Sequence, residues 1–511
     1  MGKKAQAILF LSLIGVSQLS YAVTPQQAAE KLKQFIEDVP SLEPGYAVVA
    51  VTKNEVLLNH VQGIRNIDTQ LPLTLDTPIY IASQTKAYMG LLAAKLDKQG
   101  ILKLNDTIAK HWPHIKLPEG VDPNHWTLSD LLTHQFPVEA DRITTLEAYM
   151  TEVDHKDYPA LLAKHSVKRD EGFDYTNLGY NIYGAILHKV TGKAWQDWLQ
   201  DEIFTPMAMV NTSARTSDFS MKHLSWNHIW QGEEKGWHIV PPKTDGKMQS
   251  AGGLVASPRD MGKWLQLQLN RELARKSGFS SDMMKLAHTS VAQLDPKARN
   301  PYELPCHGYA LGWTVCDIDG HTVYTHGGGY TGARTVMAFS PDLGVGIGVF
   351  SNSDNMTGWL SRKTMVQFFQ YLTAHEKADE MAEQRQGDYP ERVQWLLDRR
   401  QQRQADGINA LVKQSGVDDY QPTKAELVKL VGNYQGQDKY SKLAISMSSH
   451  GVLTGQLYDY EFTIQPISMN LFAERSSPFS KIRPINIKFD NNSKQVKSLT
   501  WFGTEYVKIS D

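Results

Sequence analysis

Ser83-Gln84-Thr85-Lys86 places a hydroxyl and an amine three residues apart at the start of an amphipathic stretch, and the Ser-x-x-Lys pattern occurs once in the chain. Residues three apart share a helix face, so the Lys86 amine can reach the Ser83 hydroxyl. A serine is a weak nucleophile until a neighbour takes its proton, and a lysine stripped of water can do so because desolvation lowers its pKa. The helix start also offers the Ser83 N–H and the helix dipole where an oxyanion would form. Serine and lysine are common, so the pair by itself favours an ordinary helix surface. Two further segments change that. Phe173-Asp174-Tyr175-Thr176-Asn177-Leu178-Gly179-Tyr180 sets a phenol and an amide two apart in a loop, each able to hydrogen-bond or move a proton. Thr325-His326-Gly327-Gly328-Gly329-Tyr330-Thr331-Gly332 follows a strand, and its glycines let backbone approach a ligand closely.

In this order, Ser-x-x-Lys, Tyr-x-Asn and His-Gly-Gly resemble the serine β-lactamase and penicillin-binding-protein superfamily. The nearest branch is the class C-like one, with its D-alanyl-D-alanine carboxypeptidases, D-aminopeptidases and esterases. The likeness runs through most of residues 40–355, including Asp76-Thr77-Pro78-Ile79-Tyr80, Trp126–His134, Pro206-Met207-Ala208-Met209 and Ala251-Gly252-Gly253-Leu254. The resemblance implies an α/β, β-lactamase-like fold, an antiparallel sheet with a helical subdomain. It also implies roles. Ser83 would be the acyl-accepting nucleophile and Lys86 its tuned neighbour. Tyr175, partly phenolate beside a lysine cation, would be base or acid, and which of Lys86 and Tyr175 takes the first proton stays open. Asn177 would bond the substrate amide. Gly328 and Gly329 would lie against the substrate, Gly329 giving a second oxyanion N–H. His326 stands where many relatives carry a lysine. Relatives usually have Ser-Gly after the Thr-His, whereas Gln135-Phe136-Pro137 follows His134 here, so substrate preference is not borrowed from any one of them.

The elements that must position these groups are legible in outline. Tyr46–Val51 and Val56–Leu58 flank Lys53-Asn54 as a hairpin. A helix runs from about Ser83 to a stop at Gly100, and Ser257-Pro258-Arg259-Asp260 is a helix start. Strands are expected at Ala310–Val315, His321–Thr325, Thr335–Phe339 and Val345–Phe350. Strands at both ends with helices between them point to one sheet built from both ends of a hydrolase region, residues 23–373. Residues 374–424 are charge-rich and read as a solvated linker helix. Residues 425–511 hold short β-rich runs and read as a small all-β domain, resembling the lipocalin-like barrels attached to some relatives, with Trp501, Phe502 and Tyr506 in its core.

The 511 residues carry 53 Lys+Arg against 55 Asp+Glu, a net charge of -2, which gives no reason to expect nucleic acid or an anionic membrane as partner. Lys3 and Lys4, the apolar run Ala7–Val16 and the small residues before Ala22 read as a cleavable signal over residues 1–22, hence a periplasmic or secreted protein. No later run is long and apolar enough to span a bilayer. Gly327–Gly332 formally matches a dinucleotide fingerprint, but a strand-like segment follows it, so no nucleotide is expected, and neither is a metal. The expected function is an exported serine hydrolase acting on amides or esters, with D-amino-acid-containing peptides favoured by resemblance. The alternatives are a class C β-lactamase and, of another class, a non-catalytic penicillin-binding or scaffold protein. The partner is a small-molecule or peptide substrate, and the oligomeric state is not legible. Two further expectations are specific. Cys306 and Cys316 form a disulfide in an oxidising compartment, against the alternative of two buried thiols. His326, with an ordinary pKa near ~6.5, gains its proton toward pH 6 and then holds substrate carboxylates better.

Overall fold

The computed structural model describes residues 23–39, 44–296, 302–475, 482–490 and 495–510; the expected signal segment lies outside these. The larger region that precedes the long helix is built on nine antiparallel strands: β1 (Gly45–Thr52), β2 (Val56–Asn66), β3 (Leu71–Pro72), β4 (Ala292–Gln293), β5 (Cys306–Tyr309), β6 (Thr314–Ile318), β7 (His321–Tyr330), β8 (Ala333–Ser340) and β9 (Val345–Ser351). Their spatial order is β4-β5-β6-β7-β8-β9-β1-β2-β3, so the first strand closes on the last, with Val48 opposite Val349. The period of two decides what each face of β1 covers. Tyr46, Val48 and Ala50 pack on α1 (Pro25–Glu37) and the helix Gly358–Leu372, while Ala47, Val49 and Val51 pack on the helix Pro258–Leu269. Both faces are covered, which is why β1 is almost wholly apolar.

The helix after the serine is α2 (Thr85–Gln99), closed by Gly100 in the left-handed region at φ +75°. It was expected to be amphipathic, but every residue from Thr85 to Leu96 is buried, because α2 is enclosed by sheet and helices. Ser83 itself lies in a 3-10 turn, Ala82–Gln84, that feeds α2. The hairpin near residue 50 and the Ser257 cap are as expected, the Ser257 side chain accepting from the Asp260 N–H. The strand expected over Ala310–Val315 is divided instead. β5 ends at Tyr309 and β6 begins at Thr314, and Gly312 turns between them at φ +82°. A Cβ there would sit 2.3 Å from the Lys86 carbonyl oxygen, so this turn rests directly on the α2 backbone. Cys306 pairs with Cys316 across β5 and β6, and the two form the disulfide.

The linker expectation needs correction. Ala378–Ser415 is one 38-residue helix, but it is not merely solvated. It buries Ala382, Tyr389, Leu397 and Leu411, Arg385 donates to Gln367 and Gln370, and Arg400 pairs with Asp354 at 3.2 Å. Charge on a long helix conceals these widely spaced apolar positions. Beyond it, eight strands from Gly432–Gln435 to Thr504–Ser510 pair with their neighbours and close into a barrel, the first strand against the last. Trp501 and Tyr506 are fully buried in its core, with Phe502 packed at the margin. The barrel is seated on the larger region by its first hairpin, where Tyr440 donates to Asp157 at 2.6 Å and Arg142 donates to Ser441 at 3.0 Å.

Candidate active site

Ser83, Lys86, Tyr175, Asn177, His326, Gly328 and Gly329, drawn from three distant segments, converge on one cleft or its inner wall. Ser83, Tyr175, His326, Gly328 and Gly329 line a cavity of about 840 Å³, with Phe173 and Arg334 among its other walls. Lys86 and Asn177 stand behind Ser83. The serine is presented by a strained turn: Ala82 adopts φ +47°, costly for a residue with a side chain, and the Thr85 hydroxyl ties the turn down through the Ala82 carbonyl at 2.7 Å. Gly328 has a packing reason to be glycine. A Cβ on it would lie 2.0 Å from the Ile81 carbonyl oxygen, so only glycine lets β7 pass directly behind the serine turn.

The Lys86 amine is fully buried and donates toward three partners: the Ser83 hydroxyl at 3.2 Å, the Asn177 side-chain oxygen at 2.8 Å and the Ala251 carbonyl at 2.8 Å. No carboxylate is among them. Burial alone drives its pKa well below the ordinary lysine value. A neutral amine has two N–H groups and one lone pair. Carbonyl oxygens can only accept, so the two N–H groups go to Asn177 and Ala251, and the lone pair is left facing the Ser83 O–H. The Asn177 side-chain oxygen is thus engaged with the lysine, and it is the amide nitrogen that a substrate amide would meet.

Tyr175 extends from the loop before α3 (Leu178–Thr191), its ring 4.9 Å from the Lys86 nitrogen and 4.5 Å from the His134 ring. Its surroundings push the phenol pKa upward, with the Ser83 hydroxyl pulling back, so the partial phenolate expected at Tyr175 is not favoured and the group stays a phenol. The residue nevertheless keeps 45% of its surface open to the cleft, so water tempers that push.

His326 contradicts its expected behaviour. It is 2% exposed, and burial above all lowers its pKa to about 3. The Gly327 carbonyl can only accept, at 2.7 Å, so Nδ1 carries the proton and Nε2 accepts from the Tyr309 hydroxyl at 3.1 Å. The ring is therefore neutral at pH 6 as at pH 8. The His-Gly-Gly-Gly segment was expected to follow a strand; it is the strand, since β7 runs through Tyr330. β6 pairs only as far as Thr325, leaving the edge beyond it free of β-ladder. Gly327 sends its N–H to the Tyr302 hydroxyl at 3.0 Å, away from β8. Alternate N–H groups of a strand leave by the same edge, so the Gly329 N–H also points away from β8.

Three contributors were not singled out from the sequence. The Ala251 carbonyl carries no side-chain signal, although Ala251-Gly252-Gly253 marked the place. Tyr302 and Tyr309 orient the β7 edge and His326, and nothing in their spacing foretold it. Arg334 was noted without an orientation; it pairs with Gly329 across β7 and β8, and its guanidinium borders the cleft there.

The Beta-lactamase family model matches residues 32–365. The chain belongs to the Beta-lactamase family. Among curated relatives, Protein flp of Staphylococcus aureus is 26% identical over 315 residues, covering 60% of this chain and 59% of that protein. The match thus spans about three-fifths of the length of the curated relatives. The octameric penicillin-binding protein homologue from Pyrococcus abyssi aligns over 94% of this chain and 99% of its own, at TM-score 0.54 and 21% identity. That coverage takes in the barrel as well. The D-amino acid amidase from Ochrobactrum anthropi SV3 aligns over 69% of this chain and 99% of its own, at TM-score 0.55 and 18% identity. At these identities the structural likeness is one of fold.

Proposed function

We propose that this β-lactamase-fold protein is an exported serine hydrolase that cleaves amides or esters through an acyl-enzyme on Ser83. The observation that carries the reading is the buried Lys86 amine, which has no carboxylate partner, is held by the Asn177 and Ala251 oxygens and lies 3.2 Å from the Ser83 hydroxyl; in its neutral form its lone pair faces the Ser83 O–H. Lys86 takes the Ser83 proton as the serine oxygen bonds to the substrate carbonyl carbon. The Ser83 and Gly329 N–H groups receive the developing oxyanion. Tyr175, kept as a phenol, gives its proton to the departing amine or alkoxide as that bond breaks, and recovers one from the Lys86 ammonium. Water then attacks the ester; its proton passes to the same pair, and Ser83 leaves with a proton.

D-aminoacyl amides and D-amino-acid-containing peptides are the favoured substrates, supported by the D-amino acid amidase and the D-stereospecific amidohydrolase from Streptomyces sp. that share the fold. One observation favours a second reading, β-lactam hydrolysis: the Arg334 guanidinium at the cleft offers a carboxylate a cation that neutral His326 cannot. The test is a hydrolysis panel of D- and L-phenylalanine amide, a D-Ala-D-Ala peptide, 4-nitrophenyl acetate and penicillin. The proposal expects D-amide turnover ahead of the L-isomer. Penicillin cleaved faster than every amide would favour the second reading, and a stable penicillin adduct with no turnover of any substrate would refute an enzyme.

A further inference from the structure

Behind Lys86 lies a buried carboxyl that the mechanism above does not use. Glu147 is wholly buried on the turn Leu146–Met150. One carboxyl oxygen accepts from the Tyr158 hydroxyl and the other from the Asn181 side-chain nitrogen at 2.6 Å. The Asn181 side-chain oxygen in turn accepts from the Ala251 N–H at 2.9 Å, and the Ala251 carbonyl is the one that holds the Lys86 amine at 2.8 Å. Asn181 lies one helical turn along α3 from Asn177, the second lysine acceptor, so a single helix carries both supports.

We propose that Glu147 is a positioning residue for acylation of Ser83: through Asn181 it fixes the Ala251 residue whose carbonyl aims the Lys86 lone pair at the serine. The inference rests on Ser83 being the nucleophile. The pieces fit only one way. Asn181 has an amide oxygen and an amide nitrogen; the Ala251 N–H can only donate, so the oxygen must face it and the nitrogen must face Glu147. An ionised carboxylate accepts from both Tyr158 and Asn181. A protonated one must place its O–H on the Tyr158 hydroxyl, which then gives up its own acceptor, and this reversal loosens the line.

That change falls in the working range. Burial pushes the Glu147 carboxyl up to about 7, Tyr158 and Asn181 pull it back, and the neighbouring Glu152 carboxylate adds to the push. The Met248 N–H donates to the Glu147 backbone carbonyl at 2.8 Å, not to the carboxyl. A cavity of about 760 Å³ between the hydrolase region and the barrel is lined by Tyr158, Asn181 and Glu152, none of which lines the Ser83 cleft, so solvent reaches both groups that hold the Glu147 carboxyl without passing through that cleft.

The experiment uses the full chain and 4-nitrophenyl acetate, following Ser83 acylation from pH 5 to 9 in wild type, Glu147→Gln, Asn181→Leu and the double variant. The expected result is about a tenfold or greater loss of the acylation rate at its plateau, since small misplacement of a catalytic group is costly. KM stays within twofold. The wild-type step in rate near pH 7 disappears from Glu147→Gln. The double variant is no slower than the worse single one, as for two links of one line. A wild-type rate and pH profile in Glu147→Gln, or fully additive losses, would overturn the proposal; if Glu147→Gln does not fold, an undiminished rate in Asn181→Leu does so. Failure of Ser83 to acylate in wild type would instead refute the proposed function.

Discussion

Lys86→Met removes the amine while keeping the length and most of the volume of a fully buried side chain beneath the Tyr175 and Tyr180 rings. Two energetic consequences can be separated. For the fold, the Asn177 and Ala251 oxygens lose their donor, at about 1–3 kcal/mol for each acceptor left unsatisfied. Against this, a polar group is no longer desolvated, which offsets a similar amount, so the net change is within about 2 kcal/mol. For the reaction, the Ser83 proton loses its acceptor. Positioned acid–base catalysis contributes about 10²–10⁴-fold, roughly 3–5 kcal/mol of barrier. The variant should therefore melt near wild type yet acylate at least a hundredfold more slowly. Its rate should also lose the acid limb. Burial lowers the Lys86 pKa, so wild-type acylation is full above that lowered value and falls as pH drops through it. Release of 4-nitrophenolate in a single turnover, with thermal unfolding run in parallel, reads both. A folded variant acylating within threefold of wild type would show that Lys86 is not the base and would transfer that role to Tyr175.

With His326 neutral because its pKa lies at about 3, KM for substrates bearing a free carboxylate should not change with His326 ionisation between pH 6 and 8, and an improvement toward pH 6 with a midpoint near 6.5 would contradict this. Burial lowers His228 and His288 to about 4 in the same way. An unfolded histidine titrates near ~6.5, so these three groups stabilise the fold fully above that pH. Each loses about 1.4 kcal/mol per pH unit as pH falls toward the folded values. Urea midpoints should drop steeply between pH 6.5 and 4, and a flat profile would refute the burial of these rings. Alkylation of the denatured, unreduced protein should find no free thiol at Cys306 or Cys316, because the two are paired; two labelled thiols would overturn the bridge.

What the sequence made legible was local chemistry tied to residue type. Ser83 and Lys86 share a helical face at a fixed spacing, and Tyr175 and Asn177 keep theirs before a helix, so their convergence followed once the superfamily likeness was seen. The hairpin of β1 and β2 and the Ser257 cap obey short-range rules and are where they were expected. The misses are contacts made by burial. The His326 ring looks like an ordinary titrating histidine in the chain; only the enclosing fold removes its proton. Gly312 splits an apolar run because the backbone must clear the Lys86 carbonyl, a constraint set more than 200 residues away in sequence. The long helix Ala378–Ser415 reads as solvated because its buried residues are few and far apart. Glu147 carries no spacing signal at all, since its partners Tyr158 and Asn181 are placed by tertiary packing.

The central claim, that Ser83 is the nucleophile, is tested most directly by intact-mass and peptide mapping after treatment with a fluorophosphonate, in wild type and in Ser83→Ala. Ser83 lines the cleft with its hydroxyl 3.2 Å from the Lys86 amine, and the substitution removes one oxygen. A single adduct on the peptide carrying Ser83 in wild type, and none in a folded Ser83→Ala protein, is the predicted result. Labelling that persists in Ser83→Ala, or that maps to another residue in wild type, would contradict the account.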